Sequence, residues 1–278
     1  MLHDKPYVDK APREVYASLL SSGIYHCSVS TMYRLLRKTD DRRNQLNPRT
    51  YARPELLATR PNQVWSWDIT KLKAEDKWCY YYLYVIMDIY SRYVVGWCIA
   101  YKEDSEIAKE LILDACLKNN IKPGQLTIHA DRGSSMTSKL VSQLLIDLDV
   151  SKTHSRPHVS NDNCYSEAQF KTLKYRPDFP DRFANLQIAK EFCVEFFDWY
   201  NVEHHHSGIA MLTPETMHYG KADEVIAKRQ AVLDLQYAAR PERFVNKAPK
   251  HPTLPKAVYI NQPTEVSKEQ PASVPNAQ

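Results

Sequence analysis

Three consecutive strand-like stretches in the middle of the chain limit its possible folds most strongly. Residues 64–72 alternate between an apolar face (Trp65, Trp67, Ile69) and a polar face (Ser66, Asp68, Thr70). Residues 78–90 form a run rich in Tyr, Val and Ile that fits a buried strand. Residues 93–101 give a third strand pattern. Because short turns separate the three, they predict an antiparallel meander in which Trp65 and Trp67 belong to the core.

The segments that follow alternate between helix and strand patterns. Helical spacing covers 105–119, 138–148, 164–175 and 186–202, and short strand patterns cover 126–130 and 150–154. The resulting order, βββαβαβαα, is characteristic of RNase H-like folds. We therefore predict an α/β core with a mixed five-stranded sheet flanked by helices.

The remaining regions are shorter. Residues 12–38 predict two short helices around a Gly-containing turn, which fits either part of a helix-turn-helix or a plain helical hairpin. A helix is expected at about 223–239, and seven prolines follow from Pro241 onward, typical of an extended or disordered tail. The predicted organisation is a helical region at 1–38, a basic linker at 39–61, the core at 62–220, and a helix with a Pro-rich tail at 221–278.

Charge is concentrated near the beginning of the chain. The whole sequence carries a net charge of only +4, but the 27 residues from Arg34 to Arg60 hold eight basic and three acidic residues. Such a segment suits a polyanion such as DNA, or it is simply a solvated linker. The candidate DNA contacts in it are Arg34, Arg37, Lys38, Arg42 and Arg43.

Cysteine spacing and hydropathy exclude several classes of protein. The six cysteines form no CxxC pair, which argues against a zinc knuckle or a disulfide framework. The first ten residues lack the apolar core of a signal peptide, and the longest apolar run, 78–87, is too short to span a bilayer. We expect a soluble, cytoplasmic protein with no membrane partner.

Three acidic residues stand at informative places. Asp68 lies in the middle of a predicted strand, where a bare carboxylate is costly unless it is paired or bound to metal. Asp131 directly follows a predicted strand, and Glu167 lies in the first turn of a predicted helix. Each has an ordinary alternative explanation: an ion pair, a turn residue or a partner of the helix dipole. The three together are harder to explain in that way.

Five stretches around these acids resemble the integrase-type DDE transposases of bacterial insertion sequences, which are relatives of retroviral integrase. The stretches are PNQVWSWDITKL, YLYVIMDIYSRYVVGW, HADRGSSMTS, NDNCYSEAQFKTLK and YNVEHHHSGIAMLTPETMHYG. They cover about residues 60–220. Thirty-five residues lie between Asp131 and Glu167, which matches the specific D,D(35)E spacing of the family. The later stretch PERFVNKAPKHPTLPKAVYIN resembles the C-terminal extension of one subgroup, and the resemblance gives it no structural role.

The resemblance implies a chemistry. The catalytic and metal-binding acids would be Asp68, Asp131 and Glu167, holding two Mg²⁺ or Mn²⁺ ions, with Asp68 bridging both, Asp131 on one and Glu167 on the other. The expected reaction is DNA strand nicking followed by attack of the freed 3′-hydroxyl on another phosphodiester, as in transposition and DNA integration. A metal-dependent nuclease of the same fold and a non-catalytic DNA-binding remnant of a transposase remain alternatives.

Other residues have two interpretations each. Lys171 and Lys174 follow Glu167 on one helix face and could bind DNA phosphates or form a solvated face. His129 could lie beside the metal site or be a hydrogen-bonded core histidine. The loop 156–163 could be a flap over the site or a connector. His204, His205 and His206 fit packing after a helix better than a zinc site.

The resemblance also implies partners. Double-stranded DNA is expected as element ends and as target, which would make the protein nucleoid-associated. A homo-oligomer on DNA is expected because synapsis of two ends generally needs at least two subunits. Since the region 1–38 shows only part of a recognition module, an upstream-frame helix-turn-helix protein, joined by frameshifting, is a further expected partner.

Overall fold

The computed structural model describes residues 7, 11–38, 53–156, 159–245 and 247–262. The chain forms two compact units, Met1–Tyr51 and Ala52–Gln278. No helix among the described residues is long and apolar enough to cross a membrane.

The smaller unit contains two helices, α1 (Pro12–Ser21) and α2 (Val29–Lys38). Helix α1 begins with Pro12, and the Glu14 carboxylate accepts a hydrogen bond from the Ala11 backbone N–H at 2.9 Å, so the first turn is capped. Val15 and Leu19 of α1 pack against Met32 of α2 in a small buried cluster. The two helices expected from the sequence therefore pack together as a hairpin.

The larger unit is built on a mixed sheet. Its strands, numbered along the chain, are β1 (Leu56–Ala58), β2 (Val64–Lys73), β3 (Tyr80–Asp88), β4 (Val94–Ala100), β5 (Thr127–Ala130), β6 (Ser151–His154) and β7 (Val258–Ile260). Five of them form one sheet in the order β4-β3-β2-β5-β6. Strands β2, β3 and β4 are antiparallel neighbours, whereas β5 pairs in parallel with both β2 and β6. The predicted meander and five-stranded sheet are confirmed.

Helices cover both faces of this sheet. α3 (Ser105–Lys118) and α4 (Lys139–Asp147) lie on one face, and α5 (Cys164–Lys174) and α6 (Leu186–Val202) lie on the other. Helices α7 (Pro214–His218) and α8 (Ala222–Ala239) follow α6, and α7 contacts both α6 and α8. Trp65 and Trp67 are almost fully buried in the core that β2 shares with α3 and α4. Leu72 belongs to the second core, which includes residues of α5 and α6. The alternation along β2 thus separates two apolar layers, as expected for an RNase H-like fold.

Two short strands form a separate antiparallel pair. Strand β1 lies in the segment predicted as a linker, and β7 lies in the segment predicted as a Pro-rich tail. Val258 and Ile260 of β7 are buried together with Ala58 of β1, with Val64 of β2 and with Ile89, which directly follows β3. The prediction of an extended chain therefore holds for 258–260, but these residues are also paired and anchored. Residues 263–278 lie outside the described residues.

Candidate active site

Asp68 lies halfway along β2, on the face that α5 covers. Its Oδ1 accepts a hydrogen bond from the Ile69 backbone N–H at 2.8 Å, and its Oδ2 accepts one from Asn163 Nδ2 at 3.0 Å. Burial raises the pKa of Asp68 to about 7; the charges of Asp131 and Glu167 raise it as well, against the Ile69 N–H and the Lys174 charge, which lower it. The Asp68 carboxyl group is therefore in the field of the two other predicted acids.

Asp131 is placed by the parallel pairing of β5 with β2. Ala130, the last residue of β5, pairs with Trp67, so the next residue leaves the sheet beside Asp68. Asp131 Oδ1 accepts a hydrogen bond from the Gly133 backbone N–H at 2.8 Å. A Cβ on Gly133 would lie only 3.1 Å from this oxygen, so glycine allows the close turn.

The loop after Asp131 is held by a fourth acidic side chain. Glu103, which follows β4, accepts hydrogen bonds at Oε1 from Ser134 Oγ at 3.0 Å and from the Ser135 backbone N–H at 3.4 Å. Ser135 is buried, so this contact ties the loop to the far edge of the sheet. No sequence pattern singled out Glu103, because its partners are some thirty residues away.

Glu167 is carried by α5, which lies along the polar face of β2. Ser66 Oγ donates to Asn163 Oδ1 at 2.7 Å and lies 2.6 Å from Ser166 Oγ, both buried. Further along, Lys174 Nζ donates to Thr70 Oγ1 at 2.6 Å. These contacts fix the helix at both ends, and Glu167 in its first turn is half-buried near Asp68.

The three predicted acids thus lie in different parts of the fold, and the charges of Asp131 and Glu167 both act on Asp68. Each is half-buried rather than sealed in the interior, so the carboxyl groups can be reached from solvent. Among the described residues, no group of three or more His, Cys, Asp or Glu side chains is arranged closely enough to hold a metal ion. The donors are nevertheless of the right kind, since hard divalent cations bind carboxylate oxygens.

The middle of the chain matches known family models. Two family models, both described as integrase core domain, match residues 58–160 and 148–214, and together they span more than half of the chain. The chain belongs to the integrase core domain family. The matched residues include all three acids.

The curated proteins that the integrase core resembles are insertion-sequence transposases. The transposase for insertion sequence element IS904 of Lactococcus lactis is 32% identical over 173 residues, 59% of this chain and 66% of the relative. Transposase InsF for insertion sequence IS3A of Escherichia coli is 28% identical over 162 residues, 58% of this chain and 55% of the relative. The chain thus spans just under two thirds, and about half, of the length of these relatives.

The comparison with solved structures gives a partial match. A chain of the simian T-cell lymphotropic virus intasome, determined in complex with PP2A regulatory subunit B56 gamma, matches with a TM-score of 0.48 and 17% identity. The match covers 74% of each chain.

Asn163 is a residue of the integrase core that sequence reasoning missed. It directly precedes α5, and its side-chain amide contacts two polar residues of β2 at once, donating to Asp68 and accepting from Ser66. The stretch NDNCYSE contained the signal, an amide four residues before Glu167. Only the packing of α5 on β2 shows that this amide faces the strand rather than solvent.

The two lysines of α5 differ in their surroundings. Lys174 is tied to Thr70, and burial lowers the pKa of Lys174 whereas the charge of Asp68 raises it. Lys171 is exposed, and no ion pair within 4.0 Å joins it to Glu167. Both lysines lie on the helix that carries Glu167.

His129 is a hydrogen-bonded core histidine. It is fully buried on β5, with Nδ1 2.8 Å from Thr153 Oγ1 and Nε2 2.8 Å from the Asp162 backbone oxygen. Burial lowers the pKa of His129. Of the two interpretations from the sequence, the hydrogen-bonded core histidine is the one that the structure shows.

The loop from Arg156 to Asn163 is closed by an ion pair. Arg156 donates from Nε and Nη2 to the two carboxylate oxygens of Asp162, each at 3.0 Å, and the Asp162 side chain is fully buried. The described part of the loop is therefore tied down at both ends; residues 157 and 158 lie outside the described residues.

Of the three consecutive histidines after α6, His204 and His206 pack on its aromatic residues, and His205 is exposed. The His204 ring lies 4.7 Å from that of Trp199, and the His206 ring lies 5.0 Å from that of Tyr200. Burial, together with the charges of His204 and Arg92, lowers the pKa of His206 to about 3. These contacts fit the predicted packing role.

Part of the predicted basic surface can be located. Arg34 is exposed on α2. Arg37 and Lys38 lie in the last turn of α2, but their side chains are outside the described residues, as are Arg42 and Arg43.

Proposed function

We propose that this chain is a transposase that cleaves DNA strands and transfers the freed 3′-hydroxyl to a second phosphodiester during transposition of an insertion sequence. One observation supports the proposal above the others: the charges of Asp131 and Glu167, from separate parts of an integrase core, both act on the half-buried Asp68 carboxyl group. The similarity of the integrase core to insertion-sequence transposases supports the same function.

The charge arrangement at the site fits divalent cations. Burial makes the charged form of Asp68 unfavourable, and the charges of Asp131 and Glu167 add to this, so the pKa of Asp68 is about 7. Mg²⁺ or Mn²⁺ would stabilise the charged carboxylates, and Asp68 would be shared between two ions, with Asp131 on one and Glu167 on the other. Two such ions would activate the attacking oxygen and stabilise the leaving oxygen of the phosphodiester.

The protein's own groups would orient this chemistry. Asn163 and the Ile69 N–H hold the two oxygens of Asp68, and the Gly133 N–H holds one oxygen of Asp131. Lys171 and Lys174 would contact DNA phosphates beside the acids, with Arg34, Arg37, Lys38, Arg42 and Arg43 as further contacts. Double-stranded DNA, as element ends and as target, is the proposed substrate.

The assembly follows from the reaction. Joining two element ends to one target requires two active sites held on the same DNA, so we propose that the chain acts as a homo-oligomer. An upstream helix-turn-helix protein or fusion partner would supply recognition of the ends. A tight, sequence-specific complex of this chain alone with the element's ends would contradict that part of the proposal.

The function can be tested by a nicking and strand-transfer assay on labelled duplexes that carry the element's ends. Reactions would contain Mg²⁺, EDTA, or Mg²⁺ with the variant Glu167→Gln. Glu110→Gln, an exposed acid of α3, is the matched control. We expect joined products that require Mg²⁺, are lost in Glu167→Gln and persist in the control.

The other outcomes separate the alternatives. Metal-dependent nicks without joined products would indicate a nuclease. DNA binding with intact strands under every condition would indicate a non-catalytic DNA-binding protein. Cleavage that survives EDTA would rule out the metal chemistry.

A further inference from the structure

The C-terminal stretch that resembled a family extension lies against the start of α5. Strand β7 pairs with β1 in the register Leu56–Ile260, Leu57–Tyr259 and Ala58–Val258. Val258 and Ile260 are buried in a cluster that Tyr165 of α5 also contacts. The segment that precedes Asn261 is therefore fixed to β1 and to the cluster that Tyr165 contacts.

Asn261 makes two hydrogen bonds from one amide nitrogen. Its Nδ2 donates to the Pro54 backbone oxygen at 3.0 Å and to Asp162 Oδ1 at 2.7 Å. Both N–H groups of the amide are thus used, one on the segment that leads into β1 and one on the loop that leads into α5. Asn261 adopts a positive φ of 56°, a conformation that asparagine tolerates better than most residues.

Asp162 connects this amide to the active site. Burial on its own would raise the pKa of Asp162, but hydrogen bonds from Arg156 and from Asn261 hold that pKa down at about 2. The Asp162 backbone oxygen also lies 2.8 Å from His129 Nε2 of β5. Asp162 is therefore a charged, fully buried residue held from three sides.

The contacts with the C-terminal segment flank Asn163. Asn261 holds the preceding residue, Asp162, and the Tyr259 backbone oxygen accepts a hydrogen bond from Tyr165 Oη at 2.9 Å. Asn163 lies between these points and donates to Asp68. A displacement of either contact would change the direction in which the Asn163 amide points.

We infer that Asn261 is a positioning residue of the active site, which acts through Asp162 to aim Asn163 at Asp68 and to set the start of the helix that carries Glu167. This inference rests on the proposed function for its catalytic consequence. The structural part of the inference, that Asn261 keeps residues 162–167 ordered, does not depend on the proposed function.

The test uses the full chain with Asn261→Gly. Glycine keeps the positive φ and removes the amide, so backbone strain does not confuse the result. Lys256→Ala, an exposed position in the same segment, is the matched control. Asn261→Asp, which places a carboxylate against Asp162, is the second variant and should be the more severe of the two.

Two readouts are compared. In single-turnover strand cleavage, we expect Asn261→Gly to lower the rate at saturating DNA by about 10- to 100-fold while the DNA concentration for half-maximal rate stays unchanged, as for loss of an outer-shell partner. In hydrogen exchange, we expect faster exchange of the backbone amides of residues 162–167, with β3 unchanged.

The outcomes distinguish this inference from the proposed function. If the unaltered chain does not cleave DNA, the function fails, and the exchange measurement alone decides on Asn261. If the chain cleaves DNA and Asn261→Gly matches it in rate and in exchange, the inference is wrong and the function stands. Faster exchange throughout the sheet, with a rate that falls only as the folded fraction falls, would show a purely structural role and also overturn the inference.

Discussion

Asn163 Nδ2 and Asp68 Oδ2 lie 3.0 Å apart, so the orientation of the central carboxyl group is set from the helix that carries Glu167. The amide cannot turn over without cost, because its oxygen accepts a hydrogen bond from Ser66 Oγ at 2.7 Å. One side chain therefore couples the geometry of two of the three proposed catalytic acids.

We expect Asn163→Ala to reduce strand cleavage by about 10- to 100-fold, as is typical when an outer-shell partner of a ligand is removed. The midpoint of DNA binding should stay the same, since the acids remain in place. Single-turnover cleavage and filter binding would measure the two quantities, with Gln187→Ala, an exposed amide on α6, as the control. An active Asn163→Ala variant would show that Asp68 is oriented by other groups.

Removing the charge of Lys171 should weaken DNA binding and its dependence on salt. For each DNA phosphate that the protein no longer neutralises, the slope of log K against log[salt] becomes shallower by about 0.9. Fluorescence anisotropy of Lys171→Gln at several salt concentrations would measure this slope. Lys118→Gln, an exposed lysine of α3 that pairs with Asp114 on the opposite face of the sheet, should leave it unchanged. Equal slopes for the unaltered chain, Lys171→Gln and Lys118→Gln would argue against DNA contact by Lys171.

Stability should fall as the solution becomes acidic, partly through His218. Burial lowers the pKa of His218 to about 4, and its ring nitrogens lie 2.9 Å from Ser91 Oγ and 3.2 Å from Asn119 Oδ1. The folded state prefers the neutral ring. The stabilising contribution is therefore complete above the unfolded pKa of about 6.5 and is lost as pH falls through the folded value.

The slope from this one histidine is about 1.4 kcal/mol per pH unit between those two values. Urea unfolding of the unaltered chain and of His218→Phe at pH 7, 6 and 5 would measure it. Phenylalanine keeps an aromatic ring against Tyr93, 4.6 Å away, and cannot titrate, so its slope should be shallower. Parallel curves would mean that His218 does not contribute to the acid sensitivity.

Gly96 allows β4 to approach α3 closely. A Cβ at this position would lie 3.2 Å from Ala115 Cβ and 3.3 Å from Leu111 Cδ1. We expect Gly96→Ala to lower the free energy of unfolding by about 1–3 kcal/mol, because the strand and the helix would have to move apart. Gly208→Ala, where the nearest atom would be 3.6 Å away at ordinary contact distance, should change it less. Chemical denaturation of the unaltered chain and of both variants would measure these free energies, and equal losses in the two variants would contradict the prediction.

The sequence was most informative where one periodicity covers a whole element. The alternation of Trp65, Trp67 and Ile69 with polar residues predicted both faces of β2 correctly, and residues 186–202 match α6 at both ends. Local hydrophobic spacing suffices there because burial on one side determines the structure. The same regularity put Asp68 on the face that α5 covers.

The features that the sequence did not reveal depend on contacts between distant residues. Strands β1 and β7 have three residues each, and their partners are about 200 positions apart, so neither shows a pattern of its own. The roles of Asn163, Glu103 and Asn261 likewise arise only when the folded chain brings their partners close. Such polar contacts are common at functional sites and carry no periodic signal.

The pairing of β1 with β7 has a consequence during synthesis of the chain. Residues 56–58 leave the ribosome before the strand that pairs with them, which follows about 200 residues later, a delay of roughly 10–40 s at elongation rates of about 5–20 residues per second. Throughout that interval the nascent chain acquires Asp68, Asp131 and Glu167 while β1 still lacks its partner strand. The two-stranded sheet therefore forms only after β7 has been synthesised, when the five-stranded sheet has had time to fold.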